Sequence, residues 1–533
     1  AAVAITHVLD YLRVDFPIAG PARNFVQNAL LRKLLNYKAA VRESLPPGNM
    51  MMGMQRDCVD LVNFGYFNML KMVRALGKMI CMLLFKLLTP LLFGGVYDPH
   101  AFLLMFVFPV ALTLFLGIRQ HTTSKALNER NATHNAFSSQ VSITTTNCQL
   151  VIDYSLRNHC DHLFVEKQKI YTEATKRAMK VLANNTYFCK WCEAFLIAIW
   201  LIYGGLQVID GSLTIGLFVT NLNLFQALGI AFSGMYSHAV NMMNTFPALE
   251  NVVTLMNFPT DLRDRYFLTK AQRTEAKSQR QEIRRLLDEK GCEGIAIDMM
   301  PIVLNFQHPF QFDRKESMLQ LNFQGRVEIH QGQLVAVAGP MGCGKATLLR
   351  LIVGSVMPSL GGDKESPIFV PSHLRVAAVS DEPLFFGGTL YQNLIFGMDD
   401  TRPDAARERV KKICRRLTKS DAVSDYLDTD LEHTWKDVFS GGQCKLLAIA
   451  RALIHNVEVL CIHKPLAKLS HEDGQHVIEA LHDHVDHKGL DISGSDIRRR
   501  PRTVIISAAN DRAVRESHNV LTVDPLSGIS LIV

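Results

Sequence analysis

Charge is what this chain is short of. Asp, Glu, Lys and Arg make up 20% of its 533 residues against 48% hydrophobic residues, and the mean hydropathy is +0.10. That balance leans toward a membrane, and the length predicts two to four domains. The net charge of +7 is modest. Its basic residues are scattered rather than arrayed on one helix, and no RNA- or DNA-reading motif is present, which argues against nucleic acid as a partner. Cysteine is not scarce, with eleven, but a pairing pattern is missing; the irregular spacing predicts free thiols rather than a disulfide framework. Cys189-Lys-Trp-Cys192 has CxxC spacing without a second pair or a nearby His pair, so packing is the better reading than metal. The stretch HDHVDH (482–487) reads as a solvated helix face or a turn. An initiator Met is also missing. With AAVAITHVLDYL reading as the tail of an apolar helix, the expectation is a removed targeting segment or a start further upstream.

The apolar residues are unevenly spread. Long runs lie before residue 260, and a mixed, Gly-punctuated pattern follows residue 300. A membrane half and a soluble half are therefore expected. About 20 apolar residues are needed to cross the hydrocarbon core, and four stretches qualify: about 75–95, 99–119, 187–209 and 213–236. Lys78 and Lys86 can snorkel or face a cavity, and Glu193 faces the bundle interior or sits near an interface. The connections VYDPH (96–100) and DGS (210–212) carry no Lys or Arg, whereas segments 16–70 and 120–186 are basic. Those two segments should face the cytosol or matrix. They read mostly as helix, so the membrane helices should project beyond the bilayer. Residues 259–300 have the charged composition of a linker helix or solvated connector.

In the soluble half, QLVAVAGPMGCGKATLLRLIVG (333–354) runs an apolar strand into Gly339-x-x-Gly342-x-Gly344-Lys345 and then an amphipathic helix. Strand before and helix after is the context of a phosphate-binding loop. Glycines let backbone N–H groups approach phosphates, the helix dipole helps, and Lys345 neutralises charge. Thr347 follows in the same turn. Further on, Ser440-Gly441-Gly442-Gln443 opens CKLLAIARALI.

These motifs resemble ABC exporters. The SGGQ resembles the ABC signature almost letter for letter. GGLQVIDGSLTIGLFVTNLNLFQAL (204–228) is similar to the junction between the family's fifth and sixth helices, and GNMMMGMQRDCVDL (48–61) to its first intracellular loop, a Gly-led turn followed by Arg-Asp. The resemblance implies an α plus α/β chain: an N-terminally incomplete helical transmembrane domain (1–258), the charged linker (259–300) and a P-loop nucleotide-binding domain (301–533). It also implies two nucleotide-binding domains packed head to tail, each ATP held between one chain's phosphate loop and the other's signature.

Where the family has catalytic residues, this chain departs. The resemblance aligns the magnesium-binding hydroxyl with Ala346, the Q-loop glutamine with Asp381, and the D-loop aspartate with Ser470. The Walker B aspartate and the catalytic glutamate align with His463 and Lys464, in CIHKPLAKLS. The switch histidine aligns with Ala509, or Ala508 if the register shifts by one, and the adenine-stacking aromatic with His308. No catalytic residue and no metal ligand set is therefore assigned. ATP is the implied cofactor, bound with little dependence on magnesium. Two functions follow as expectations. One is a half-transporter with a hydrolysis-deficient site that works with a catalytic ABC partner, as a homo- or heterodimer. The other is an inert pseudo-transporter serving as a structural subunit of a larger membrane complex. Location is an organellar membrane of the mitochondrial inner type.

Overall fold

The computed structural model describes residues 19–93, 99–290, 299–306, 310–311, 320–321, 323–358, 366–419, 422–431, 435–492, 499–508, 514–524 and 528–532, with isolated positions before residue 19. The chain divides into two compact units, one of Ala1–Leu35 with Leu45–Phe258 and one of Asn36–Ser44 with Pro259–Val533.

The first unit is built from long helices: Phe67–Phe93, Pro99–Thr146, Arg157–Ile209 and Ile215–Asn244. Among the described residues, three helices are long and apolar enough to cross a membrane: Phe102–Thr146, Arg157–Ile209 and Ile215–Asn244. The stretch expected at 75–95 falls at the C-terminal end of Phe67–Phe93; residues 94–98 lie outside the described residues. The helices Pro99–Thr146 and Arg157–Ile209 have 48 and 53 residues. At 1.5 Å per residue they reach roughly 70–80 Å, more than twice a hydrocarbon core. The basic segment 120–186 is thus mostly a continuation of these helices. Leucine, phenylalanine and isoleucine side chains remain exposed along them, as helices facing lipid require.

Steric needs explain the first glycine of the Gly-Gly junction; Gly205 has nothing within 4 Å of a built Cβ. A Cβ on Gly204 would fall 2.9 Å from the ring of Trp200, which is fully buried and donates its indole N–H to the Phe218 carbonyl at 3.2 Å. Polar groups in the helical stretches face neighbouring helices. Lys86 Nζ donates to Asn221 Oδ1 at 2.8 Å, and the Glu193 carboxyl packs so closely on Gly229 that a Cβ there would lie 2.5 Å from it. Cys189 is buried in the same helical core, and no metal-holding group occurs among the described residues. One expectation fails here. The stretch 48–61 is no turn: Gly53 has helical φ and ψ, and the segment continues through Gly53–Asp57 and Leu61–Tyr66 into the next helix. Gly53 allows close approach instead, since a Cβ would meet Leu255 Cδ1 at 2.6 Å.

The second unit is α/β. Its six-stranded sheet runs in the order Gly528–Ile532, Asn519–Asp524, Leu334–Ala338, Thr503–Ser507, Val459–Ile462, Val376–Val379. All neighbours are parallel except the first pair. The strands Thr503–Ser507 and Val459–Ile462 are buried along their whole length, as a sheet covered by helices on both faces demands. A smaller antiparallel sheet pairs Ile302–Phe306 with Gly325–Ile329 and Ile368–Phe369. The expected linker contains the helix Leu262–Lys290. Asn36–Ser44 groups with this unit, unlike the expected boundary, for identifiable reasons: Tyr37 bridges Thr260, Lys38 pairs with Asp264 at 2.9 Å, and Glu43 accepts from Arg350 at 2.6 Å.

HDHVDH also departs from its reading as a solvated face. In the helix His471–Asp486, His484 is fully buried, and burial, with Arg502 and Arg409 nearby, pushes its pKa down to about 3.

Candidate nucleotide site

Parallel strands that end on one edge form the usual ligand-binding edge of an α/β sheet. Here that edge carries Gly339 after Leu334–Ala338, Ala508 after Thr503–Ser507, His463 after Val459–Ile462 and Asp381 shortly after Val376–Val379. The sheet order therefore gathers the positions singled out by sequence from four separate parts of the chain.

The loop after Leu334–Ala338 has the backbone expected of it. Gly339, Gly342 and Gly344 all have positive φ, at 148, 86 and 94°. Gly339 admits nothing larger, because a Cβ would fall 2.2 Å from the Val523 carbonyl oxygen. Gly344, left-handed, caps the helix Lys345–Val353. Lys345 Nζ donates to the carbonyls of Gly339 at 2.7 Å and Pro340 at 2.8 Å, so it lies back across the loop. Thr347 sits in the first turn of that helix, half-buried, and Ala346 presents a methyl group where a hydroxyl is expected.

The signature stretch is a helix start with its own cap. Ser440 is the N-cap of Gly441–His455. Its Oγ accepts from Gln443 N at 3.3 Å, while Gln443 Oε1 accepts from Ser440 N at 3.0 Å, a reciprocal capping box. Gly442 lies against the turn after the Val459–Ile462 strand, where a Cβ would meet the Lys468 carbonyl oxygen at 2.8 Å. Gly441 has room: its nearest neighbour is Lys468 Cδ, 3.8 Å from a built Cβ.

At the end of Val459–Ile462 the chemistry differs from that of a magnesium site. His463 Nδ1 lies 2.8 Å from Ser507 Oγ, which accepts from the Lys464 amide at 2.7 Å. Burial, then the neighbouring Lys464, lowers the His463 pKa, so the ring is neutral at pH 7. Lys464 has a left-handed backbone (φ 46°), and its Nζ reaches Asp381 Oδ2 at 3.4 Å. On the other side of the same carboxylate, Lys445 Nζ stands 4.0 Å from Oδ1, an ion pair by distance without a hydrogen bond. Lys445 is 1% exposed and donates to the carbonyls of Ser380 at 2.9 Å and His463 at 3.0 Å. Burial lowers its pKa, and Asp381 opposes that shift. Magnesium prefers an octahedron of oxygens. A methyl, a neutral imidazole, an ammonium and one carboxylate between two ammonium groups do not supply it, so these residues do not fit the ion.

Ser470 is the N-cap of His471–Asp486, its Oγ accepting from Asp473 N at 3.0 Å. Ala508 donates its N–H to the Val337 carbonyl at 2.9 Å. His308 and Ala509 lie outside the described residues. Lys445 and Ser507 were missed from sequence. For Lys445 there was a signal, a single lysine in the otherwise apolar face of CKLLAIARALI; Ser507 gives none without the sheet order.

Two family comparisons match this arrangement. The ABC transporter transmembrane region matches residues 19–232, and the ABC transporter family matches 324–467, which spans the loop, the signature helix and His463. The chain is built as an ABC transporter. Its fold is similar to that of a bacterial Atm1-family ABC exporter solved with ATP bound (TM-score 0.71, 17% identity, covering 97% of this chain and 83% of that one). A candidate export ATP-binding/permease protein of Rickettsia bellii (strain RML369-C) is 20% identical over 502 residues, 90% of this chain and 78% of that protein. Human ATP-binding cassette sub-family C member 4 is 31% identical over 153 residues, 28% of this chain. This ABC transporter chain spans only 11% of the length of that human relative.

Proposed function

We propose that this chain is an exporter-type half-transporter that holds ATP without hydrolysing it and works with a catalytic ABC partner that supplies the active site. The observation that carries the reading is the strand end at His463 and Lys464, where Asp381 lies between two ammonium groups. Hydrolysis needs a metal clamp and a group that orients water, and no residue here is suited to either role. Gly339, Gly342, Gly344, Lys345 and Thr347 would cradle the phosphates, with His308 against the base. Ser440, Gly441, Gly442 and Gln443 would complete the partner's site, offering helix N-terminal N–H groups to its γ-phosphate. The long apolar helices would carry the substrate path across an organellar membrane of the mitochondrial inner type, a compartment tested by fractionation of the native protein.

The test is ATP turnover by the purified chain and by its native complex. The chain alone should stay at background, with Lys345→Ala no lower, whereas the native complex should turn over ATP. Turnover by the lone chain that Lys345→Ala abolishes would overturn the reading.

A second reading, an inert structural subunit, has one specific observation in its favour. The capping box of Ser440 and Gln443 and the tight fit at Gly442 give the signature stretch a structural use independent of any partner. Co-purifying chains decide: a second ABC chain favours transport, and unrelated membrane subunits favour the scaffold.

A further inference from the structure

The cluster at Asp381 has a consequence for the form of nucleotide. We infer that the loop site selects nucleoside triphosphate free of divalent cation, with the Lys464 ammonium standing where the metal's charge is otherwise needed. The inference rests on the ATP-holding reading above and adds the ionic form of the ligand.

Three observations carry it. First, the cation at the strand end is part of the chain. Lys464 is fixed by its amide on Ser507 Oγ at 2.7 Å and by Asp381 at its other end, while its side chain stays 47% exposed, accessible to a ligand. Second, its charge is not cancelled. Asp381 is one carboxylate shared between Lys464 and the buried Lys445. The groups acting on the neighbouring His463 are the cations Lys464, Lys445 and Arg350 against that single anion. Arg350 is itself paired with Glu43, so the net excess comes from the two lysines. Third, the oxygen ligands are missing: Ala346 is a methyl, and the His463 ring is engaged with Ser507.

A polyphosphate without metal carries its full negative charge toward this excess. The same polyphosphate chelated to magnesium brings less charge, sets a second cation beside Lys464, and finds only the Asp381 carboxylate, already between two ammonium groups, toward the metal's octahedron. Lysine serves as a point charge for phosphate without geometric demands, which suits a site lacking a metal. Magnesium should therefore weaken binding, the reverse of its effect at a hydrolysing site.

The experiment is a calorimetric titration of the full chain, in detergent or nanodiscs, with ATP in EDTA and in millimolar magnesium chloride. Binding in EDTA should be tighter by roughly tenfold, the scale of one net charge at contact distance under nearly water-like screening. Lys464→Ala, at a half-exposed position that leaves the fold intact, should weaken binding in EDTA and bring the two buffers to within about twofold of each other. Asp381→Asn should strengthen binding in EDTA by removing the competing carboxylate. Lys345→Ala should abolish binding in both buffers. Tighter binding in magnesium, or a Lys464→Ala protein with an unchanged preference for EDTA, would overturn this inference and leave the ATP-holding reading standing. No binding in either buffer would overturn both.

Discussion

The phosphate loop and signature helix on one side, and the strand end at His463 on the other, have kept different kinds of residue. The first region holds glycines and helix caps; the second holds an imidazole, an ammonium group and the Asp381 carboxylate. The structure gives a reason for the contrast that needs no selection for function. Gly339 abuts the Val523 carbonyl, Gly442 abuts the Lys468 carbonyl, and Ser440 and Gln443 cap their own helix. Each has a use in the fold. Asp381, His463 and Lys464 stand at or just beyond strand ends, held by side-chain contacts with Lys445 and Ser507 rather than by a steric limit on the backbone. Glycines that the packing itself calls for are weak evidence for a working site. Gly441 is the exception: it has space around it and no positive φ, so its presence has no steric account.

That exception offers the sharpest test. In a complex with a catalytic ABC partner, Gly441→Asp would set a carboxylate against the partner's γ-phosphate. Turnover should fall by two to three orders of magnitude, the scale of losing oriented N–H donors, with an unchanged melting temperature. Full turnover in that complex would remove the signature's functional role and leave the structural-subunit reading.

A buried histidine away from the site ties the chain's stability to acid. His484 has a folded pKa of about 3 and an unfolded value near 6.5. The unfolded state therefore binds the proton first as pH falls. Stability is full above about pH 6.5 and declines through the window down to about pH 3, by roughly 3 kcal/mol at pH 4. Melting of the full chain across that window, compared with His484→Leu, checks it: the variant should lose much of the slope.

The steric part of the contrast is checked by alanine at each glycine. Gly339→Ala, with φ of 148° and a clashing carbonyl, should cost about 3 kcal/mol. Gly442→Ala should cost about 2 kcal/mol, and Gly441→Ala less than about 0.5 kcal/mol. Equal costs at 441 and 442 would break the distinction drawn between them. Between those two falls Ser440→Ala, which removes one half of the capping box and should cost about 1 kcal/mol.

Much of the site was legible in the sequence because its signals are local. A strand, three glycines, a lysine and a helix fall within one short stretch, and the signature with its helix within another. Composition and apolar runs were enough to divide the membrane-type half from the soluble half. Two local readings failed where contacts override pattern. The Gly-led turn that the resemblance implies for 48–61 is helical, and Gly53 within it leaves room for Leu255. HDHVDH looks solvated by composition, but its helix turns His484 into the core.

By itself the sequence determined the order of the elements, the loop that bends around Gly339 and the presence of an imidazole and an ammonium group at positions 463 and 464. Those depend on backbone preferences and residue identity, which are properties of neighbours in the chain. Only the tertiary structure decided that Asp381 stands between Lys445 and Lys464, that Ser507 ties His463 to the Lys464 backbone, and that Asn36–Ser44 joins the second unit. Parallel strands are joined by long crossovers, so which strand ends become neighbours is set by sheet order rather than by spacing along the chain, and the charge at this site follows from that order.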